Sequence, residues 1–350
     1  MVQVMIAWMS HTSIGDNIMI SKLFCSLESR KDLLFFSLVD YRNNYFTSDD
    51  PKRILEFYNS FENRDQLIQW MRERPNGVAT IHEVDGDKDI IVVIPTADFN
   101  GKFAQNCINI FKGFHIIFVE SGGKGDYYFN IARNIDTGLK HALQYKPKWL
   151  IFSGDDIISV KNLHNLRQRL SVINNGNVGI VFPVPFSNYY SCKNNIYSEK
   201  KISPIFFRIL SSRFPMFKAM LTIRPYSNKF GVKYFAGPDN LLNRIFFRKI
   251  FSFVDQHTFA IFNVPMIRDL LSSRGYVFNP FYINNREDAA LAIDIKNSIW
   301  KYEVVKLKLR TLKGGTLSNG ILRGMRGLPS DVLFSDFIED LLRAHGGMIA

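Results

Sequence analysis

An α/β fold with a mostly parallel sheet flanked by helices is what this sequence predicts, and three observations carry the prediction. Short β-branched runs recur from Asp89 onward. Each is followed by a stretch whose apolar residues have helical spacing. The runs are continuous rather than alternating, as expected of strands buried on both faces.

The elements follow in order. Ile90–Pro95 reads as the first buried strand, and a helix follows over about Lys102–Phe111. His115–Glu120 is the second strand, ended by Ser121-Gly122-Gly123. Tyr127–Tyr145 reads as a helix with Ile131, Ile135, Leu139 and Ala142 on one stripe. Trp149–Ser153 is the third strand, stopped by Gly154-Asp155-Asp156. A helix over about Val160–Ile173 leads to a fourth strand, Val178–Val184. Strands alternating with helices imply a parallel sheet covered on both faces. Before Asp89, Val2–Trp8 and Leu33–Val39 read as strands, and Pro51–Phe61 and Asn63–Glu73 as helices closed by Pro75-Asn76-Gly77. The polar stretch His82–Lys88 is the expected boundary. Residues 1–88 are therefore an N-terminal extension or small α/β subdomain, residues 89–305 the main domain, and residues 306–350 a basic, helical extension.

Composition narrows the class. The chain has 350 residues, 46% apolar and 22% charged, which are globular values. No apolar run reaches the roughly 18 residues of a transmembrane helix. The N-terminus lacks the basic region of a secretory signal. The three scattered cysteines, Cys25, Cys107 and Cys192, suit free thiols in a reducing compartment, so the expected location is cytoplasmic. A net charge of +12 favours phosphate-bearing partners without choosing among them.

In parallel sheets ligands bind outside the carboxyl ends of the strands. Here those ends are Thr96–Asn100, Glu120–Gly125 and Ser153–Ile157. Asp155 and Asp156 are the sharpest feature, since adjacent carboxylates offer hard oxygen ligands to Mg²⁺ or Mn²⁺. The same two acids would also suit the start of a following helix.

Taken in order, these motifs resemble the family 2 glycosyltransferases of the GT-A (Rossmann-like) fold, from Asp89 to about Val305. Val92-Val93-Ile94-Pro95-Thr96 resembles the family's opening strand, with Ala97-Asp98 departing from its usual aromatic and Asn. Glu120 stands where the family has an Asp that holds the nucleobase. Asn130-Ile131-Ala132-Arg133-Asn134 resembles the helix that packs beside the nucleotide, and Gly154-Asp155-Asp156 the acidic metal motif. Downstream, Thr258–Pro265 resembles the family's strand leading into a short helix. Gly275–Phe281 resembles its glycine-aromatic turn, and Asn284–Ala292 its Glu-Asp motif.

The resemblance implies a donor such as a UDP- or GDP-sugar, an Mn²⁺ or Mg²⁺ cofactor, and a glycan, protein or lipid-linked acceptor. Asp156 is then the metal ligand. Pro95, Thr96, Asp98, Glu120, Arg133, Asn134 and Asp155 line the nucleotide-sugar. Glu287 lies on the acceptor side, and Asp288 is the general base of an inverting transfer. On their own, Glu287 and Asp288 would again read as a helix N-terminus.

An insertion over about 187–249 is basic, its twelve Lys and Arg between Lys193 and Lys249 facing only Glu199 and Asp239. Aromatic residues interleave the charges, as at a peripheral membrane contact or an acidic-ligand surface. No RNA- or DNA-binding motif is present, which argues against a nucleic-acid partner. Asp331–Ala344 reads as an amphipathic terminal helix packing on the domain or on a second subunit. Two rival functions remain at this level. One is a nucleotidyltransferase on a similar sheet, and the other a non-catalytic basic module that binds nucleic acid or a membrane surface.

Overall fold

The computed structural model describes residues 41–74, 77–121, 130–173, 176–186, 192–198, 215–238, 252–255, 259–283, 285–312 and 320–345. The expected strands at Val2–Trp8 and Leu33–Val39 and the strand-end residues Gly122–Gly125 lie outside these residues. The chain divides into two compact units, Met1–Ser60 and Phe61–Ala350.

In the first unit, helix α1 (Pro51–Asn59) opens on Asp50, whose carboxylate accepts the Lys52 N–H at 2.9 Å. An Asp cap of this kind satisfies one of the donors that a helix start leaves open. Ile54, Phe57 and Tyr58 form its buried stripe, and the Phe46 and Phe57 rings lie 4.9 Å apart.

The second unit begins with α2 (Arg64–Glu73), capped by the Asn63 side chain. It is organised on an eight-stranded sheet in the order β1-β3-β2-β4-β10-β6-β11-β5. The strands are β1 (Thr80–Val84), β2 (Asp87–Thr96), β3 (Phe114–Glu120), β4 (Trp149–Ser153), β5 (Ile157–Lys161), β6 (Val178–Phe186), β10 (Phe259–Asn263) and β11 (Lys301–Thr311). From the pairings, β2, β3, β4, β6 and β11 run one way, while β1, β10 and β5 oppose them. The sheet is thus mostly parallel in strand direction, with two antiparallel edges and one antiparallel strand inside. A smaller sheet joins β7 (Cys192–Ser198), β8 (Tyr234–Pro238) and β9 (Ser252–Asp255) in the order β8-β7-β9. Of the basic insertion, only β7, β8 and α6 (Pro215–Lys229) are described. Among the described residues no helix is long and apolar enough to cross a membrane.

Two elements differ from the sequence expectation. The stretch read as a helix over Val160–Ile173 is β5, a short 3-10 turn and only one and a half turns of helix, α5 (Leu166–Ser171). Asn162, in the left-handed conformation at φ 67°, breaks it. The segment His82–Lys88 holds the end of β1 and the start of β2. Thr80–Val84 pairs with Glu120–Ile116 of β3, so this stretch is joined to the main sheet. Glu83 fastens that edge, accepting hydrogen bonds from His115 Nε2 (2.7 Å), His141 Nε2 (2.7 Å) and Tyr145 Oη (2.6 Å). Burial opposes its charge, yet the bonds from Tyr145, His141 and His115 hold the carboxyl down at about 2.

Helices pack on both faces of the sheet around β2. On one, α3 (Lys102–Ile110) packs Ala104 and Cys107 against Ile90, Val92 and Ile94. On the other, α4 (Ile131–Ala142) packs Ala132, Ile135 and Leu139 against Ile91 and Val93. Gly138 permits the close approach of α4, since a Cβ there would meet Val93 Cγ1 at 2.3 Å. Gly138→Ala should therefore destabilise the protein by about 1–3 kcal/mol through overpacking, against the usual helix-propensity gain. Urea denaturation checks this, and an unchanged midpoint would refute it. Helix α9 (Leu328–Ala344) buries Val332, Phe334 and Ile338, and packs Phe334 and Ile338 with α8 (Glu287–Lys296).

Candidate active site at the ends of the central strands

The chain passes from β2 through α3 to β3 on one side, then through α4 to β4 on the other side of β2. The connections lie on opposite faces, so β2 and β4 flank a topological switch point, where such sheets form a crevice. Pairing between these two strands ends at Val93↔Phe152, although β2 runs on to Thr96. Pro95, which has no N–H to donate, sits in this parted stretch.

Across the crevice, the Thr96 hydroxyl donates to Asp155 Oδ2 at 2.9 Å. Asp155 and Asp156 form a turn, and Ile157 begins β5 directly. No helix starts here, so helix capping does not account for the pair. The turn is held from three further directions. Asn106 Nδ2 donates to the Ile157 carbonyl at 2.8 Å, and the Cys107 thiol reaches the Asp155 carbonyl at 3.5 Å. The Leu312 N–H, just past β11, donates to the Asp156 carbonyl at 3.0 Å.

Burial raises both carboxyls above the usual range. Asp156 is pushed up to about 6, with the Asp155 charge adding to the effect. For Asp155 the Thr96 hydrogen bond works against the burial. Below them, burial and then the two carboxylates push the Cys107 thiol up to about 12, which removes it as a nucleophile at neutral pH. Among the described residues neither aspartate forms an ion pair. No group of three His, Cys, Asp or Glu converges among them either. Two half-buried carboxylates with no counter-ion among the described residues fit Mg²⁺ or Mn²⁺, which take one or two protein carboxylates and complete their shell with phosphate and water.

Other expected residues gather at the same strand ends. Asp98 follows Thr96 and organises its own turn, its Oδ1 accepting the Asn100 N–H at 3.1 Å while its N–H reaches the Thr96 hydroxyl at 3.3 Å. Glu120 ends β3 with both oxygens engaged: Oε1 accepts the Phe99 N–H at 3.2 Å, and Oε2 pairs with His82 Nε2 at 2.7 Å. The His82 ring lies flat on Phe99, centroids 4.2 Å apart and 2° from parallel. Glu120 thus shapes the loop after β2. His82 is not legible as a site residue in the sequence because its strand, β1, runs into the polar stretch that reads as a domain boundary.

Asn134 is buried, and its side-chain amide exchanges hydrogen bonds with the Ser121 hydroxyl at 2.9 and 2.6 Å. Arg133 is half-buried and donates to the Gly77 carbonyl at 3.3 Å. Helix α4 also reaches the downstream half. Asn130 Nδ2 donates to the Pro280 carbonyl at 2.8 Å, and Asp136 accepts the Val277 and Phe278 N–H groups. The glycine-aromatic turn is thereby moored to the helix that leaves β3. Gly275 opens this turn in the left-handed conformation, φ +80°, after α7 (Val264–Arg274).

Glu287 and Asp288 are both buried and begin α8, so here the helix-start reading does describe their local structure. Asp288 Oδ1 accepts the Ala289 N–H at 2.8 Å. The preceding Arg286 adopts φ 73°, a costly conformation for a residue with a side chain. Its ion pair with Asp331 (2.6 Å) and its bond to the Ala236 carbonyl (2.7 Å) hold it there. Along the chain, the turn that α4 moors leads to Glu287 and Asp288.

No protein-family model matches the chain, and no curated protein matches it in sequence.

Proposed function

We propose that this chain is a nucleotide-diphospho-sugar-dependent glycosyltransferase of the GT-A type. One observation carries the reading: two half-buried aspartates that form no ion pair among the described residues stand at the β2–β4 switch point, with Thr96 bonded to Asp155 across it. A phosphate-bearing ligand is expected in such a crevice. Carboxylates alone would repel it, so a divalent ion is the natural complement.

A bound Mn²⁺ or Mg²⁺ supplies positive charge that stabilises a departing nucleoside diphosphate. Asp156 is the carboxylate assigned to the ion. Asp155, oriented by the Thr96 hydroxyl, is assigned to the ribose, and Glu120 acts by fixing the Phe99 loop that borders the nucleoside. Asp288 is assigned as base, taking the acceptor hydroxyl's proton as its oxygen attacks the anomeric carbon. Base and leaving group must lie on opposite sides of the sugar in an inverting transfer. Two acidic sites on separate elements, the β4–β5 turn and the start of α8, suit that requirement.

Isothermal titration with a panel of UDP- and GDP-sugars, in Mn²⁺ and in EDTA, tests the reading. At least one donor should bind about tenfold more tightly, or better, with the metal. Absence of metal-dependent binding across the panel would sink the proposal. Release of pyrophosphate in place of a nucleoside diphosphate would point instead to a nucleotidyltransferase.

A further inference from the structure

On strand β11 the residues Val305, Leu307 and Leu309 turn into the core, so the alternate residues face outward. Outward, the strand reads Tyr302, Val304, Lys306, Lys308, Arg310, and then Leu312 just beyond it. All are exposed. Val304 is 54% exposed, Tyr302 41% and Leu312 39%, so apolar side chains stand open to solvent at both ends of the row. Lys161 of β5 is the direct cross-strand partner of Lys308. Like charges directly opposite each other destabilise a sheet pairing. Among the described residues none of the four cations is in an ion pair.

Lysines on an edge strand guard against edge-to-edge aggregation. That explanation covers Lys161 on the edge strand β5 and Lys306, which is paired with β6 alone, but it does not reach Lys308 and Arg310, where β5 lies alongside β11. The arrangement keeps a cationic row about 13 Å long between exposed apolar side chains at either end. Cations alone would suit any polyanion. Aliphatic side chains flanking them add nothing against a phosphodiester chain, whereas at a bilayer they enter the headgroup–acyl boundary while the cations meet lipid phosphates.

We propose that the outward face of β11 with Lys161 is a docking surface for an anionic lipid bilayer. It is separate from the basic insertion at Lys193–Lys249, and it stands whether or not the transferase reading does. The row ends beside the acidic turn, where Leu312 donates to the Asp156 carbonyl, so a docked membrane borders the strand-end crevice.

Vesicle co-sedimentation tests it, comparing phosphatidylcholine alone with phosphatidylcholine plus phosphatidylglycerol. The full chain should sediment with the anionic vesicles only, and high salt should release it. The triple variant Lys306→Gln/Lys308→Gln/Arg310→Gln should partition about 100-fold less, at about fivefold per cation near an anionic surface. The matching Lys306→Arg/Lys308→Arg variant should bind like wild type. Lys161→Gln and Val304→Ser, read separately, should each weaken binding about fivefold, so a folding defect in the triple variant does not decide the outcome. Failure of wild type to sediment, or equal sedimentation of wild type and all these variants, overturns the proposal. So does loss of heparin or RNA retention in the triple variant without any vesicle binding, which would assign the face to a soluble polyanion.

Discussion

Asp156→Asn should lower glycosyl transfer by on the order of 10²–10³, the usual cost of removing a group that stabilises developing charge. The same change should make the metal-free protein more stable. In the native protein Asp156 is pushed up to about 6 by burial and then by the Asp155 charge, while the unfolded chain titrates near the ordinary aspartate value. Native protein therefore holds a proton that unfolded protein has released between about pH 4 and 6, and stability falls as pH rises through that window. Above it, the ionised carboxylate costs about 1–3 kcal/mol, allowing for its partial exposure to solvent. The amide removes that cost. Thermal melts should thus show apo Asp156→Asn above apo wild type at pH 7, with Mn²⁺ raising only the wild type. Should the substitution lower the apo melting temperature and leave the response to Mn²⁺ intact, the pair is structural and the metal assignment fails. A stabilising change that removes activity is the expected mark of a site kept under electrostatic strain.

The sheet was legible because both-sided burial writes itself into sequence as unbroken runs such as Ile90–Pro95 and Trp149–Ser153. The strand-end logic then led to Thr96, Glu120 and Asp155 without knowledge of any pairing, since the carboxyl ends of parallel strands share one edge. Direction was harder to read. β10 (Phe259–Asn263) is as apolar as its neighbours yet antiparallel to both, because burial fixes composition and only the connections fix orientation. Val160–Ile173 misled because Leu163, Leu166 and Leu170 keep helical spacing, while Ile157–Lys161 before them is held in the sheet by pairing with β11, a contact far along the chain. Long-range hydrogen bonds were also beyond reach. Nothing local ties His82 to Glu120, Leu312 to Asp156, or Asp136 to Val277. Those contacts decide which acids face the crevice and which serve as struts.

Asp136 is such a strut, and it should leave a clear signature in stability against pH. The side chain is 5% exposed and faces the Val277 and Phe278 N–H groups across the gap between α4 and the glycine-aromatic turn. Burial raises its carboxyl to about 7; the backbone bonds from Phe278 and Val277, and the more distant charges of Lys140 and Arg274, pull it down only partway. The folded value lies above the unfolded one, so its contribution is fully present below about pH 4 and is lost as pH rises through 7. The span corresponds to at most about 4 kcal/mol. Asp136→Asn keeps an acceptor oxygen for the turn and abolishes the titration. The difference in unfolding free energy between wild type and Asp136→Asn should therefore swing in favour of the variant as pH increases from 4 to 8, and level off above that. Urea unfolding at a series of pH values measures this. A flat difference would mean the carboxyl titrates normally and the turn is not moored through a buried charge. A swing in the opposite sense would mean the two backbone donors outweigh burial, so that ionised Asp136 stabilises the turn. The sign matters for the site as well, since Asn285–Asp288 follow directly from that turn. If the ionised strut loosens it, transfer activity in wild type should decline above pH 7 in parallel with stability, while Asp136→Asn holds its rate.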